Sequence, residues 1–252
     1  MAEVISIISG KGGVGKTTLT ANLADALSKK GKSTLVIDAN ISGANMGIHL
    51  NMLESGADLN SVLSGKDTYD KAIYAHPYGF HVMPSSINVA GPSMHGFSAV
   101  ISNLVGHYDY ILVDTAAGTD DEVKEAVKAS DSVLIVTNPD IPAVSNAALV
   151  KRLTANLGKP IKGVVLNMAR GEYLELTDKQ VSEFMDADVI SKIPFHKNVK
   201  QSTVFGKSVI DYSPRCPPSI AISSLAGRLC GEEPKNSNFL SSLASKIPGL
   251  NR

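Results

Sequence analysis

A surplus of charge is missing from this chain: its 252 residues carry 24 basic and 24 acidic side chains. No global field therefore draws it to nucleic acid or an anionic membrane, and any such contact has to be local. Cysteine is scarce as well. The two present, Cys216 and Cys230, stand too far apart for a Cys-x-x-Cys site, which argues against clustered-thiol metal chemistry and for free thiols in a reduced compartment. No signal-peptide pattern and no apolar run of transmembrane length is visible, so the expectation is a cytoplasmic protein. Internal repeats and low-complexity stretches are absent too. A chain of 252 residues suits a single α/β domain. The one clear shift in composition begins at Gly231, where Glu-Glu-Pro-Lys-Asn-Ser-Asn reads as a polar linker. The expected division is a domain over 1–231 and a linker with a short tail over 232–252.

What is present is a sequence of apolar runs, at 4–8, 33–37, 80–83, 110–113, 132–136 and 161–166, with a short candidate at 189–193. Amphipathic segments lie between most of them. Continuous apolar strands alternating with helices predict an α/β fold with a mostly parallel, twisted sheet covered by helices on both faces. A ligand then belongs at the carboxyl ends of the strands.

The first such end carries Ser-Gly-Lys-Gly-Gly-Val-Gly-Lys-Thr-Thr, residues 9–18, followed by helical spacing over 19–28. Gly10, Gly12, Gly13 and Gly15 let the backbone fold around a polyphosphate with its N–H groups inward, aided by the positive end of the helix dipole. Lys16 then reaches the β/γ-phosphates and Thr17 ligates Mg²⁺, with Val14 and Thr18 completing the loop. After the second run, Asp38 stands where a carboxylate can hold a Mg²⁺-bound water or orient the attacking one. After the fourth, Asp114 occupies the position of a Mg²⁺-directed carboxylate, and Gly118 offers a backbone N–H that senses the γ-phosphate. Asp120, Asp121 and Glu122 read as acids at a helix start. Asn167 ends a further strand, where an amide can read both a donor and an acceptor on a base. No Asn-Lys-x-Asp sequence is present, which favours ATP over GTP. Lys197, Lys200 and Lys207 form a modest basic group that reads as a solvated face. In the tail, Phe239, Leu240, Leu243 and Ile247 fall on one face of a short amphipathic helix.

Lys11, a second lysine inside the phosphate loop, narrows the reading. The loop, the Asp38–Asn45 segment, the Asp-Thr-Ala-Ala-Gly string of 114–118 and the Asn167 segment together resemble the MinD/ParA family of deviant Walker A P-loop ATPases, and the MinD-like branch in particular. The resemblance covers about 1–231 and, more weakly, the tail. It implies a homodimer formed around ATP and Mg²⁺, with Lys11 reaching the nucleotide of the other copy. It further implies roles for Asn45 at the nucleotide and for Asn167, Pro194 and Phe195 at the base. Family members usually carry Asp-x-Asp where this chain has Asp38-Ala39-Asn40; Asn40 cannot take a proton as a carboxylate can, which implies slow hydrolysis. The tail resembles a membrane-targeting helix, so the implied function is an ATP-dependent switch that positions cell-division or other machinery at the membrane with a protein partner or activator. Two alternatives stay open: a ParA-like DNA or cargo partitioning ATPase, and an ATP-binding scaffold with negligible turnover.

Overall fold

Strands buried at successive positions have cover on both faces, and the chain supplies it from both sides of one sheet. The structure, a computed structural model, describes residues 1–52, 56–86 and 94–232. Eight strands make a single sheet: β1 (Glu3–Ser9), β2 (Thr34–Asp38), β3 (Tyr74–Ala75), β4 (His81–Met83), β5 (Tyr110–Ala117), β6 (Ser132–Thr137), β7 (Ile161–Ala169) and β8 (Val189–Pro194). Their order across the sheet is β3-β4-β2-β5-β1-β6-β7-β8. All neighbours run parallel except β3, which pairs antiparallel with β4. β1 thus lies between β5 and β6; β6, β7 and β8 step outward on one side, and β2, β4 and β3 lie beyond β5 on the other.

Side-chain alternation along β1 assigns the layers. Ile5 and Ile7 face the layer made by α1 (Lys16–Lys29) and α10 (Pro217–Leu229), where they meet Leu19, Leu23, Leu27, Ile222 and Leu225. Val4 points the other way, into a cluster with Phe97, Ile101 and Leu104 of α4 (Phe97–Leu104). Ile8 joins Val123 and Val127 of α5 (Asp121–Ala129), Val144 and Val150 of α6 (Ile141–Asn156), and Val181 of α7 (Asp178–Met185). Shorter helices complete the loops: α2 (Met46–His49), α3 (Leu59–Leu63), α8 (Lys197–Val204) and α9 (Val209–Tyr212).

The doubly covered, mostly parallel sheet agrees with the pattern of apolar runs, and its differences from that pattern have local causes. β3 is two residues long, too short for a hydrophobic period to register, and it is held by pairing to β4 and by the Tyr74 hydroxyl, which donates to the Ala57 carbonyl. β5 continues through Thr115, Ala116 and Ala117, which have little strand character of their own, because β1 still pairs with it as far as Ser9 and Ala117. Asp114 consequently lies inside a strand and not just beyond one. α10 begins at Pro217, since proline suits the first turn of a helix. Cys216 and Cys230 are free thiols. Among the described residues no helix is long and apolar enough to cross a membrane. The tail residues Phe239, Leu240, Leu243 and Ile247 lie outside the described residues.

Candidate nucleotide and metal site

The loop between β1 and α1 is shaped by two glycines under different constraints. Gly15 sits at φ +93°, a conformation that side chains rarely adopt, and a Cβ there would collide with the Asn167 amide. A Cβ on Gly10 would collide with the backbone of α6 at Asn146 and Ala147. Gly10 is therefore needed for close packing, and Gly15 for both backbone and space.

Two lysines of this one loop face opposite ways. Lys16 is 8% exposed, and its Nζ donates to the Ser9 hydroxyl at 2.8 Å; that hydroxyl in turn donates to the Lys11 carbonyl at 2.8 Å. Burial lowers the Lys16 pKa, while the charge of Asp114 works to raise it. Lys11 is exposed.

Asp38 and Asp114 are register partners on β2 and β5, and both are fully buried. Asp114 accepts from the Thr17 hydroxyl at 2.6 Å and from the Thr20 hydroxyl at 3.4 Å. Asp38 accepts from three backbone N–H groups, those of Asn40 at 3.2 Å, Asn45 at 3.1 Å and Met46 at 3.0 Å. Burial pushes Asp38 up to about 7, helped by the Asp114 charge. Asp114 is pushed up to about 6 by burial, against the pull of its Thr17 bond, Lys16 and its Thr20 bond. Asn45, whose backbone N–H meets Asp38, has a buried side-chain oxygen with no donor.

This donor set fits Mg²⁺. Thr17, Asp38 and Asp114 supply hard oxygen atoms, the crowded carboxylates gain from a cation, and the orphaned Asn45 oxygen can accept from a metal-bound water. Among the described residues no group of three or more His, Cys, Asp or Glu is placed to hold a metal by itself. A magnesium ion here would draw the rest of its ligands from water and phosphate, as this ion commonly does.

Beyond the loop lies a cavity of about 470 Å³ whose lining includes Thr18, Leu19, Asn167, Met168, Pro194 and Phe195. The structure thus brings the expected base-contacting residues to one surface next to the loop. Asn167 also has a second task there. Its Nδ2 donates to the Val14 carbonyl at 2.8 Å, so this donor braces the phosphate loop. Met168 follows at φ +58°, a positive value unusual for a side-chain-bearing residue, where the pairing of β7 with β8 shifts register. Phe195 is capped by the Arg170 guanidinium, 3.9 Å from the ring centroid.

Three contacts were not legible in the motif. The Gly118 N–H donates to the Ser9 carbonyl at 2.9 Å, so it must leave that bond before it can meet a phosphate. The Asn40 amide is turned into its own loop and donates to the Gly43 carbonyl at 2.9 Å. Glu122, expected only as an acid at a helix start, reaches across to Ser42.

A polyphosphate cradle at the end of the middle strand, closed by an inward lysine and flanked by carboxylates from neighbouring strands, is how P-loop nucleoside triphosphatases hold their substrate. That is the class this fold and site define. Comparison with known proteins narrows it: the family model described as ParA, NUBPL iron-transfer P-loop NTPase, matches residues 1–230. An uncharacterized ATP-binding protein of Methanocaldococcus jannaschii is 34% identical over 231 residues, covering 90% of this chain and 88% of its own. The septum site-determining protein MinD of Thermotoga maritima is 32% identical over 211 residues, covering 79% of this chain and 78% of its own. The MinD of Pyrococcus horikoshii, solved with Mg-ADP, superposes with a TM-score of 0.87 at 28% identity, covering 98% of this chain and 100% of that one. The chain belongs to the MinD/ParA family of P-loop ATPases.

The raised pKa of Asp114 has a sign that can be tested. Between the ordinary carboxylate range near pH 4 and about pH 6 the folded protein holds a proton that the unfolded chain has released. Stability therefore falls as pH rises through that window, and the full penalty remains above it. In nucleotide-free protein kept in a chelator, Asp114→Asn removes the penalty. Thermal melts are expected to show the variant gaining on the wild type from about pH 4 to about pH 6 and keeping that gain at higher pH; a gain toward low pH would contradict the burial account.

Proposed function

We propose that this chain is an ATP-driven dimerisation switch of the MinD kind, with slow hydrolysis, that brings other machinery to a membrane. The observation that carries the reading is the divergence of the two loop lysines, Lys16 folded inward and Lys11 exposed. One lysine serves the nucleotide of its own copy and the other is free to serve the copy opposite.

In this reading the loop N–H groups and Lys16 hold the β- and γ-phosphates of ATP, and Thr17, Asp38 and Asp114 hold the magnesium site. Bound Mg²⁺ supplies positive charge that offsets the charge on the phosphate oxygens. Lys16 leaves the Ser9 hydroxyl for the phosphates, and Gly118 exchanges the Ser9 carbonyl for the γ-phosphate. Asp38 orients the attacking water. Asn40 can hydrogen-bond that water only by leaving the Gly43 carbonyl, and its amide cannot take a proton. Asn167, Pro194 and Phe195 bound the base. Lys11 of each copy neutralises phosphate charge in the other, so the dimer persists while the γ-phosphate does. Only a ligand with unequal affinity for monomer and dimer can drive such a change. The tail residues Phe239, Leu240, Leu243 and Ile247 provide the membrane contact; two copies on a dimer raise a weak affinity by ~100-fold or more.

Phosphate release from Mg-ATP, with light scattering on the same ATP-loaded sample, tests the core of this reading. The expected result is a dimer with slow release, and Lys11→Ala retains nucleotide but stays monomeric. A dimer that binds ATP and releases no phosphate would favour the scaffold, and a wild type that remains monomeric would overturn the switch.

Asn40→Asp is expected to raise turnover in a well-folded variant. Unchanged turnover would remove Asn40 from the hydrolytic account.

A chain ending after Pro234 is expected to lose ATP-dependent sedimentation with anionic liposomes while still dimerising; sedimentation that persists would exclude the tail. Nonspecific DNA in place of liposomes addresses the competing partition reading, whose support is that Lys197, Lys200 and Lys207 are exposed.

A further inference from the structure

Glu122 stands in the first turn of α5, the helix that follows Gly118. The acids beside it on that helix serve local pairs: Asp121 takes Lys124 and Glu125 takes Lys128, each at 2.7 Å. Glu122 does something else. Its Oε1 accepts from the Ser42 N–H at 2.9 Å and its Oε2 from the Ser42 hydroxyl at 3.1 Å, across 80 residues of chain. Both oxygens of one carboxylate thus grip one residue, in bonds strengthened by the charge of the acceptor.

Ser42 lies in the loop between β2 and α2, inside the turn that Asn40 closes by donating to Gly43. The same loop hangs from Asp38 through the N–H groups of Asn40 and Asn45. Among the described residues the Ser42–Glu122 bonds are the only hydrogen bonds from this loop to the segment that starts at Gly118. On the other side of that link, the Gly118 N–H is bonded to the Ser9 carbonyl at the base of the phosphate loop. A continuous path runs from Ser9 through Gly118, the first turn of α5, Glu122 and Ser42 to Asn40 and Asp38. The hydroxyl half of the grip requires a hydroxyl-bearing side chain, because glycine or alanine at 42 would keep only the N–H bond.

We propose that Glu122 is a positioning residue that makes the two loops around the γ-phosphate move as one, by holding Ser42 to the helix that follows Gly118. When Gly118 changes partner from the Ser9 carbonyl to a phosphate, the first turn of α5 shifts and carries the Ser42 turn with it. Asp38 and Asn40 are then brought to their working positions by the event that reports the phosphate. The turnover part of this inference rests on the switch reading; the mechanical part does not.

The test is amide hydrogen exchange on the full chain, without nucleotide and with Mg-ATP, in the wild type, Glu122→Ala, Glu122→Gln and Ser42→Ala. In nucleotide-free protein, Glu122→Ala is expected to speed exchange over residues 39–46 by about tenfold while β5 and α6 keep their protection. Glu122→Gln restores part of the protection, because its amide oxygen still accepts from the Ser42 N–H. Ser42→Ala lies between, and adding it to Glu122→Ala changes nothing more, as a shared interaction requires. Mg-ATP is expected to protect both loops in the wild type but only the segment from Gly118 onward in Glu122→Ala. Loop exchange unchanged in Glu122→Ala, or effects of the two substitutions that simply add, would overturn the coupling. In the turnover arm, Glu122→Ala lowers kcat by about tenfold with KM within about twofold, because the phosphate-loop contacts are untouched. A wild type that releases no phosphate would count against the switch reading, and the exchange results would still decide the coupling.

Discussion

Two carboxylates buried side by side on β2 and β5 are the constraint on which the rest of the site depends. Carboxylates without water need compensation, and each receives a different kind. Asp38 is held by three backbone N–H groups, which forces the chain after β2 to curl back over it and start α2. Asp114 is held by two threonine hydroxyls from the first turns of α1, which fastens that helix to β5 at the level of the phosphate loop. The compensation is incomplete, as the upward displacement of both pKa values records. The crowding of these two carboxylates is electrostatic strain that a bound cation would relieve.

The sequence was most informative where the backbone itself is the ligand. A glycine-rich loop between an apolar strand and a helix leaves a local, contiguous trace, and so do Asp38 and Asp114, each at the end of an apolar run. The alternating runs also contained the doubly covered sheet, and residues 1–230 match the family model. Less could be read where one residue has two tasks or where two distant segments meet. The Asn167 amide braces the Val14 carbonyl, a contact between residues 153 positions apart. Glu122 looked like any acid in a first helical turn, since the feature that sets it apart is Ser42, 80 positions earlier. Asn40 was notable as a missing carboxylate, yet its present bond to Gly43 depends on the loop's fold and not on its composition.

The amide at position 40 has a mechanical role in the loop. An asparagine can close the turn by donating to a carbonyl, whereas an aspartate would set negative charge against that same oxygen. With Glu122 already holding Ser42 through two bonds, the loop has its fastenings without a second carboxylate of its own. Its geometry is thus built from an amide inside and an acid brought in from a neighbouring helix.

The outward lysine has a consequence for how such a protein would respond to its own abundance. A site finished only by a second copy fills, at low concentration, in proportion to the square of the amount of chain present. Doubling the chain would then raise the number of finished sites by about fourfold. Gathering chains on a surface would act in the same sense as making more of them. Lys11 would therefore make local crowding as much an input as the nucleotide, and the boundary between assembled and dispersed chain would be sharper than the gradient that produced it.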